Sequence, residues 1–223
     1  MEILYQDNRI LVCIKPAGIL STDEPGGLPE LVRRELGDSQ ACVRTVHRLD
    51  RVVGGVMVLA RSREAARRLS AQIRQHSWSK EYLAVVHGTP GSGTFHDLLL
   101  RSKEERKTYV VSHPEKGAQE AILDYASIAS VNSLSLVRIR LKTGRTHQIR
   151  AQFSAHGYPL YGDKKYDAPE DSGHTIALWS HSISFIHPQT EQPVHFSALP
   201  SRTAPWTDFP QLWEPTFSQG GNR

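Results

Sequence analysis

Nine consecutive residues, Val52 to Ala60, read Val-Val-Gly-Gly-Val-Met-Val-Leu-Ala with no charged or polar side chain among them. The run is rich in β-branched residues and bounded by charges, which favours a short strand over a helix. A strand apolar on both faces belongs in the interior of a sheet. Immediately before it stands His47-Arg48-Leu49-Asp50-Arg51, and Arg61 closes it. The chain therefore carries a highly charged loop at the mouth of a buried strand, and any fold has to accommodate both.

The remaining segments supply partners for that strand. Asn8 to Ile14 is apolar and runs into Lys15-Pro16-Ala17-Gly18, a strand ending in a turn. Leu28 to Leu36 suits a short helix closed by Gly37. Ser62 can cap a helix running to about His76, whose Ala65, Leu69 and Ile73 form one stripe, with Glu64 early and Arg67, Arg68 and Arg74 later. Lys80 to His87 reads as a strand ending at Gly88, and residues 88–94 as a plain glycine-rich turn, because the GK[ST] ending of a phosphate loop is missing. Ala121 to Ile128 and Leu134 to Leu141 read as paired strands. Thr146 can cap a helix from about His147 to Ala155. Ile183 to Ile186 and Val194 to Ala198 flank a proline-containing turn. Strands and helices mix without a βαβ rhythm, so the expected class is α+β, with a mixed, mainly antiparallel sheet flanked by helices and loops. No linker divides the sequence, and a single domain is expected over 1–223, with a core of about 3–200 and a tail at 201–223 that is either packed or partly disordered.

Composition narrows the function. No stretch approaches the roughly 18 apolar residues of a membrane span, and the N-terminus lacks the pattern of a signal peptide. The two cysteines, Cys13 and Cys42, have no CxxC spacing and are expected as buried, reduced thiols. A cytoplasmic protein is the expectation. The net charge is only +4, but residues 33–74 and residues 138–165 each carry +6, leaving −8 for the rest. Two such segments either form one phosphate-attracting patch or lie as separate solvated faces.

Three places could carry chemistry. Asp50, between Arg48 and Arg51, is either an ordinary ion-pair partner or a carboxylate held ionised to act as nucleophile or base. Lys142-Thr143-Gly144-Arg145-Thr146-His147-Gln148-Ile149-Arg150 is either an anion cradle at a helix start or a solvated basic turn. Tyr82 is either core or a flat face for an unpaired base. The eleven histidines offer neither HExxH nor a Cys/His pair, so no metal site is expected.

Taken together, these segments resemble one family. His47-Arg48-Leu49-Asp50-Arg51 with its apolar strand is similar to the second motif of the RluA-type RNA pseudouridine synthases (RluA/RsuA superfamily). Lys80-Glu81-Tyr82 through Gly88 resembles that family's Lys-x-Tyr strand, and Leu141 through Arg150 its third motif. Pro159 to Tyr166 and His187-Pro188 with Leu199-Pro200 are similar as well, so the resemblance spans about residues 3 to 200 in order. It implies a pseudouridine synthase fold and an isomerase that needs no cofactor, acting on tRNA or rRNA. Asp50 would act at the uridine C1′ while the N-glycosidic bond breaks, and Arg145 would pair with it. Tyr82 would pack on the base and could serve in proton removal at C5. Arg48 would enter the RNA helix where the nucleotide is flipped out, since a stacked nucleotide is unreachable. His47, His147 and Arg150 are expected among the RNA contacts. The resemblance implies no obligatory protein partner, and a monomer is the default. The length leaves no room for the S4-like domain of many relatives. One departure stands out: Val52-Val53-Gly54-Gly55 occupies the place of the family's usual Asp-Thr-Ser-Gly, so a polar contact near Asp50 is missing or replaced. A catalytically silent RNA-binding protein of the same fold is the alternative that this departure motivates.

Overall fold

In chain order the elements are β1 (Ile3–Gln6), β2 (Ile10–Lys15), α1 (Leu28–Glu35), β3 (Arg44–Thr45), β4 (Gly54–Ala60), α2 (Arg63–Arg74) and β5 (Ser79–His87). They are followed by β6 (Ser92–Ser102), β7 (Lys107–Val111), β8 (Gln119–Val131), β9 (Leu134–Leu141), α3 (Gln148–Ala155), β10 (Leu178–Ile186) and β11 (Pro193–Ser197). This computed structural model describes residues 1–166, 168–169 and 175–214. Three helices and a strand-rich remainder make the class α+β, as the alternation of patterns predicts. The expected single domain meets a chain that packs as two compact units, each built from several stretches of sequence.

The first unit holds Met1–Tyr82, Arg140–Lys142 and Trp179–Ala198. Its strands run β1-β2-β4-β10, with β3 pairing β4 and β11 pairing β10. Every residue of β4 is buried, which is what a run apolar on both faces requires. On one side β4 lies antiparallel to β2, from Ile10 opposite Ala60 to Lys15 opposite Gly55. On the other it is parallel to β10 at Trp179–Gly54 and Ser180–Gly55. Ser62 Oγ accepts the Ala65 N–H at 3.1 Å and starts α2 where the sequence places it. Ala65 and Leu69 of that helix pack into a core with Val56, Val58, Trp78, Ile183 and Phe185. Truncating a fully buried leucine such as Leu69 to alanine costs roughly 2–5 kcal/mol.

The second unit holds Leu83–Ile139, Thr143–Leu178 and the segment from Leu199 onward. Here β6 is central, antiparallel to β8 from Ser92–Ala126 to Leu99–Gln119 and to β7 from Leu98–Val111 to Ser102–Lys107. The β8–β9 hairpin turns through Asn132 and Ser133, both at positive φ. Phe95 of β6 meets Phe153 of α3 edge-on at 5.1 Å.

Several expectations change. The glycine-rich turn ends early, because β6 begins at Ser92, and β6 with β7 adds a hairpin that was not among the expected elements. Cys13 is buried, but Cys42 is exposed rather than a second core thiol. Thr146 does not cap α3; the residue before the helix is His147, in the left-handed region with φ 54°. Part of the tail is packed, with Trp206, Phe209 and Leu212 buried, whereas 215–223 lie outside the described residues. Many of the arginines that raise the local charge are paired close by. Arg33 binds Asp23, Arg34 binds Glu30, and Arg67 and Arg68 share Glu64.

Candidate active site

The loop between β3 and β4 presents Asp50, and hydrogen bonds fix it from both sides. Ser21 Oγ accepts the Leu49 N–H at 3.1 Å and donates to Leu49 O at 2.8 Å. Thr45 Oγ1 donates to Ser21 O at 2.8 Å. On the far side of Asp50, Arg51 O accepts the Gly18 N–H at 2.7 Å, while Arg51 Nε donates to Gly18 O at 2.9 Å. Asp50 O itself accepts the Val53 N–H at 3.0 Å and closes the turn into β4.

Beneath this loop lies Lys15, a lysine with no exposed surface. Its ammonium donates to Pro16 O, Ile19 O and Arg51 O at 2.9, 2.7 and 3.3 Å. Burial pulls its pKa down to about 8, and the nearby Asp50 charge works in the opposite direction. The result is a positive charge set under the carboxylate and held by peptide oxygens. A lysine closing the otherwise apolar stretch Ile10–Ile14 was the sequence signal for it.

Tyr82 is 7% exposed and stands on β5 in the same unit as Asp50. Burial, and then the Asp50 charge, push its phenol above its usual range. The two residues that the resemblance implies as nucleophile and base-facing aromatic are near enough for the Asp50 charge to act on the phenol. A neutral phenol fits a packing surface better than a proton acceptor.

The departure at 52–55 has a physical counterpart. A Cβ on Gly54 would lie 2.7 Å from the Trp179 ring, and one on Gly55 would lie 2.3 Å from Ser180 O. Gly55 also has φ 123°, which disfavours any side chain. Val53 is buried and Val52 is 42% exposed. Apolar packing and the Trp179 ring stand where hydroxyl-bearing side chains would otherwise project.

The four expected RNA contacts separate by burial. Arg48 is exposed, beside Asp50 in sequence, and available to a large ligand. His47 is not: it is 8% exposed, its Nε2 accepts the Val58 N–H at 3.0 Å, and its ring meets Trp78 edge-on at 5.3 Å. Burial, then the charge of Lys80, push its pKa well below the usual imidazole range. His47 is thus a neutral strut between the loop and β4. Arg150 is 6% exposed and forms a two-point ion pair with Asp163 at 2.7 and 2.8 Å. Its guanidinium also lies 5.0 Å from the centre of the Tyr166 ring. Only a half-buried His147 and the exposed Arg48 keep the access that the expectation needs.

Arg145 belongs to the second unit, in the turn between β9 and α3. Its Nε donates to Glu120 O at 2.8 Å, and its backbone N–H donates to Gln148 Oε1 at 3.0 Å. Gln148 is buried and shapes the turn: Thr143 Oγ1 donates to its Oε1 at 2.8 Å, and its Nε2 donates to Ile122 O at 3.1 Å. Tyr166 holds the other end. Its hydroxyl accepts the Thr108 N–H at 2.8 Å and hydrogen-bonds His147 Nδ1 at 2.9 Å. The basic motif is therefore a braced turn rather than a loose solvated one. Ser21, Gln148 and Ser180 were not singled out by sequence, since an isolated hydroxyl or amide shows its role only through distant partners.

A family model described as RNA pseudouridylate synthase matches residues 9–155 of this chain. The chain belongs to the RNA pseudouridylate synthase family. It is an isomerase of the RluA type. Among its relatives, tRNA pseudouridine synthase C of Haemophilus ducreyi is 31% identical, over 99% of this chain and 96% of the relative. Ribosomal large subunit pseudouridine synthase D of Zymomonas mobilis is 30% identical, over 89% of this chain and 68% of the relative. The human RNA pseudouridylate synthase domain containing 1 structure shares the fold with a TM-score of 0.77, at 22% identity, over 92% of this chain and 84% of its own. Among the described residues, no helix is long and apolar enough to cross a membrane.

Proposed function

We propose that this synthase converts uridine to pseudouridine in structured tRNA or rRNA, with Asp50 as the nucleophile and the target nucleotide flipped out of its helix. The observation that carries this reading is the Asp50 loop. It is pinned at Leu49 and Arg51, has a buried Lys15 beneath it, and shares its field with Tyr82. A carboxylate fixed in this way can meet C1′ without a reorganisation cost. Asp50 would attack or assist at C1′ as the bond to N1 breaks. The freed uracil would turn and rejoin through C5, and loss of the C5 proton with gain of one at N1 would complete an isomerisation with no net change in atoms. Tyr82 would pack on the base as a neutral ring. Arg145 would balance the Asp50 charge, and Arg48 would fill the place of the flipped nucleotide. RNA of both kinds is in view because relatives are named for both.

The test is tritium release from tRNA and rRNA carrying uridine labelled at C5, followed by mapping of the modified positions. Wild type should release tritium, and Asp50→Asn should lower the rate by at least about a thousandfold. Equal rates for the two proteins would sink the reading. RNA binding with no release by wild type on any RNA would favour a silent RNA-binding protein.

A further inference from the structure

Trp179 is the second residue of β10, and both ends of its indole are fixed. Nε1 donates to Ala198 O at 2.8 Å. The opposite, six-membered edge lies over Gly54, the parallel partner of Trp179. An added Cβ at 54 would stand 2.7 Å from Cζ3 and 3.1 Å from Cε3, so glycine there is what leaves room for the ring. Gly54 is buried, whereas the indole is half-buried. The ring is thus anchored while part of its surface stays open to solvent.

Gly54 directly follows Val53, whose N–H closes the Asp50 turn. From that same loop Arg48, Arg51 and Val52 reach solvent, Val52 with 42% of its surface exposed. The loop that ends under the indole therefore also presents two cations and an apolar side chain. An unpaired nucleotide carries a charged phosphate and a flat apolar base. Cations attract the first, and an aromatic ring stacks on the second. A ring already held in place stacks with little loss of side-chain freedom. Filling the space over Gly54 requires apolar volume alone, so flatness is the property that separates stacking from packing.

We propose that Trp179 is an RNA-binding residue that stacks on an unpaired base neighbouring the target uridine, and that Gly54 makes room for it. The inference rests on the reading that the Asp50 loop receives the target nucleotide.

The experiment uses the full chain with tRNA and rRNA carrying tritium at uridine C5, and filter binding of the same RNAs at one fixed salt concentration. Trp179→Leu keeps apolar volume and loses the flat ring. It should raise KM and Kd about tenfold and leave kcat within about twofold of wild type. Trp179→Phe keeps a ring and should stay within about threefold in all three. Fluorescence gives a readout that packing would not move: RNA should quench wild type more than Trp179→Phe. If Trp179→Leu proves unfolded by circular dichroism, Trp179→Met is read in its place. KM and Kd within twofold of wild type for the leucine variant would overturn the proposal, as would equal quenching of wild type and Trp179→Phe. A loss confined to kcat would also overturn it, by assigning Trp179 to packing under the Asp50 loop. A wild type that releases no tritium from any RNA would remove the proposed function and this inference together, whereas an active wild type with an unaffected Trp179→Leu removes only the inference.

Discussion

Ser21 and Leu49 exchange two hydrogen bonds, at 2.8 and 3.1 Å, across 28 residues of sequence. Through this pair a single buried hydroxyl satisfies both the N–H and the C=O of Leu49, the residue before Asp50. Ser21→Ala leaves both backbone groups without their partner in a buried place, at a cost of about 1–3 kcal/mol. The urea midpoint should fall accordingly. Tritium release should fall further than the unfolded fraction explains, because the Asp50 loop loses one of its two anchors. Unchanged stability and rate would show that the loop is held elsewhere.

Asp163 and Arg150 form a buried ion pair, with side chains 2% and 7% exposed. Removing one partner strands the other charge, so Asp163→Ala should cost about 3–5 kcal/mol in urea unfolding. Tyr166 ties the same region to the His147 turn, so the loss should extend to activity. A variant that unfolds at the wild-type urea concentration would mean that Arg150 finds water or another acceptor.

Two glycines near the candidate site should respond unequally to alanine. Gly55→Ala places a Cβ 2.3 Å from Ser180 O on a backbone at φ 123°, and should destabilise by more than about 3 kcal/mol. Gly144→Ala meets nothing within 4 Å and should stay within about 0.5 kcal/mol of wild type. Thermal melts of the two variants side by side would check the contrast, and equal melting temperatures would refute it.

His47 makes stability depend on pH. Its folded pKa is depressed by burial and by Lys80, whereas in the unfolded chain it is about 6.5. Above that value both states are neutral and the full stability is present. As pH falls below about 6.5 the unfolded chain takes up a proton that the folded one resists, and stability declines by up to about 1.4 kcal/mol per pH unit. Urea midpoints between about pH 8 and 5 should show this slope, and His47→Gln should flatten it. The same slope in both proteins would assign the dependence to other groups.

Local pattern made the fold class legible. The apolar run at Val52–Ala60 favoured a buried strand, which Gly54–Ala60 forms, and Ser62 with Ala65 and Leu69 marked both the start of α2 and the face it buries. The resemblance of several short motifs in order put forward Asp50, Tyr82 and Arg145 as candidates. Two elements were not legible from local pattern. Thr146 looked like a cap by position, yet His147 in the left-handed region precedes α3 and Gln148 braces the turn. The β6–β7 hairpin is supported by the pairing of β6 with β8.

Sequence by itself determined which runs must be buried, since that follows from residue type and short-range period, and its motifs put forward the candidates for chemistry. Only the tertiary structure decided which charged side chains stay accessible. His47 and Arg150 look alike with Arg48 as basic residues beside a motif, yet Val58 and Asp163, 11 and 13 residues away, draw the first two inside and leave Arg48 out. It also decided that Ser180, 124 residues beyond Val56, donates its hydroxyl to the Val56 carbonyl. Such partnerships depend on strand register, which is set by the packing of the whole sheet and leaves no mark on either residue alone.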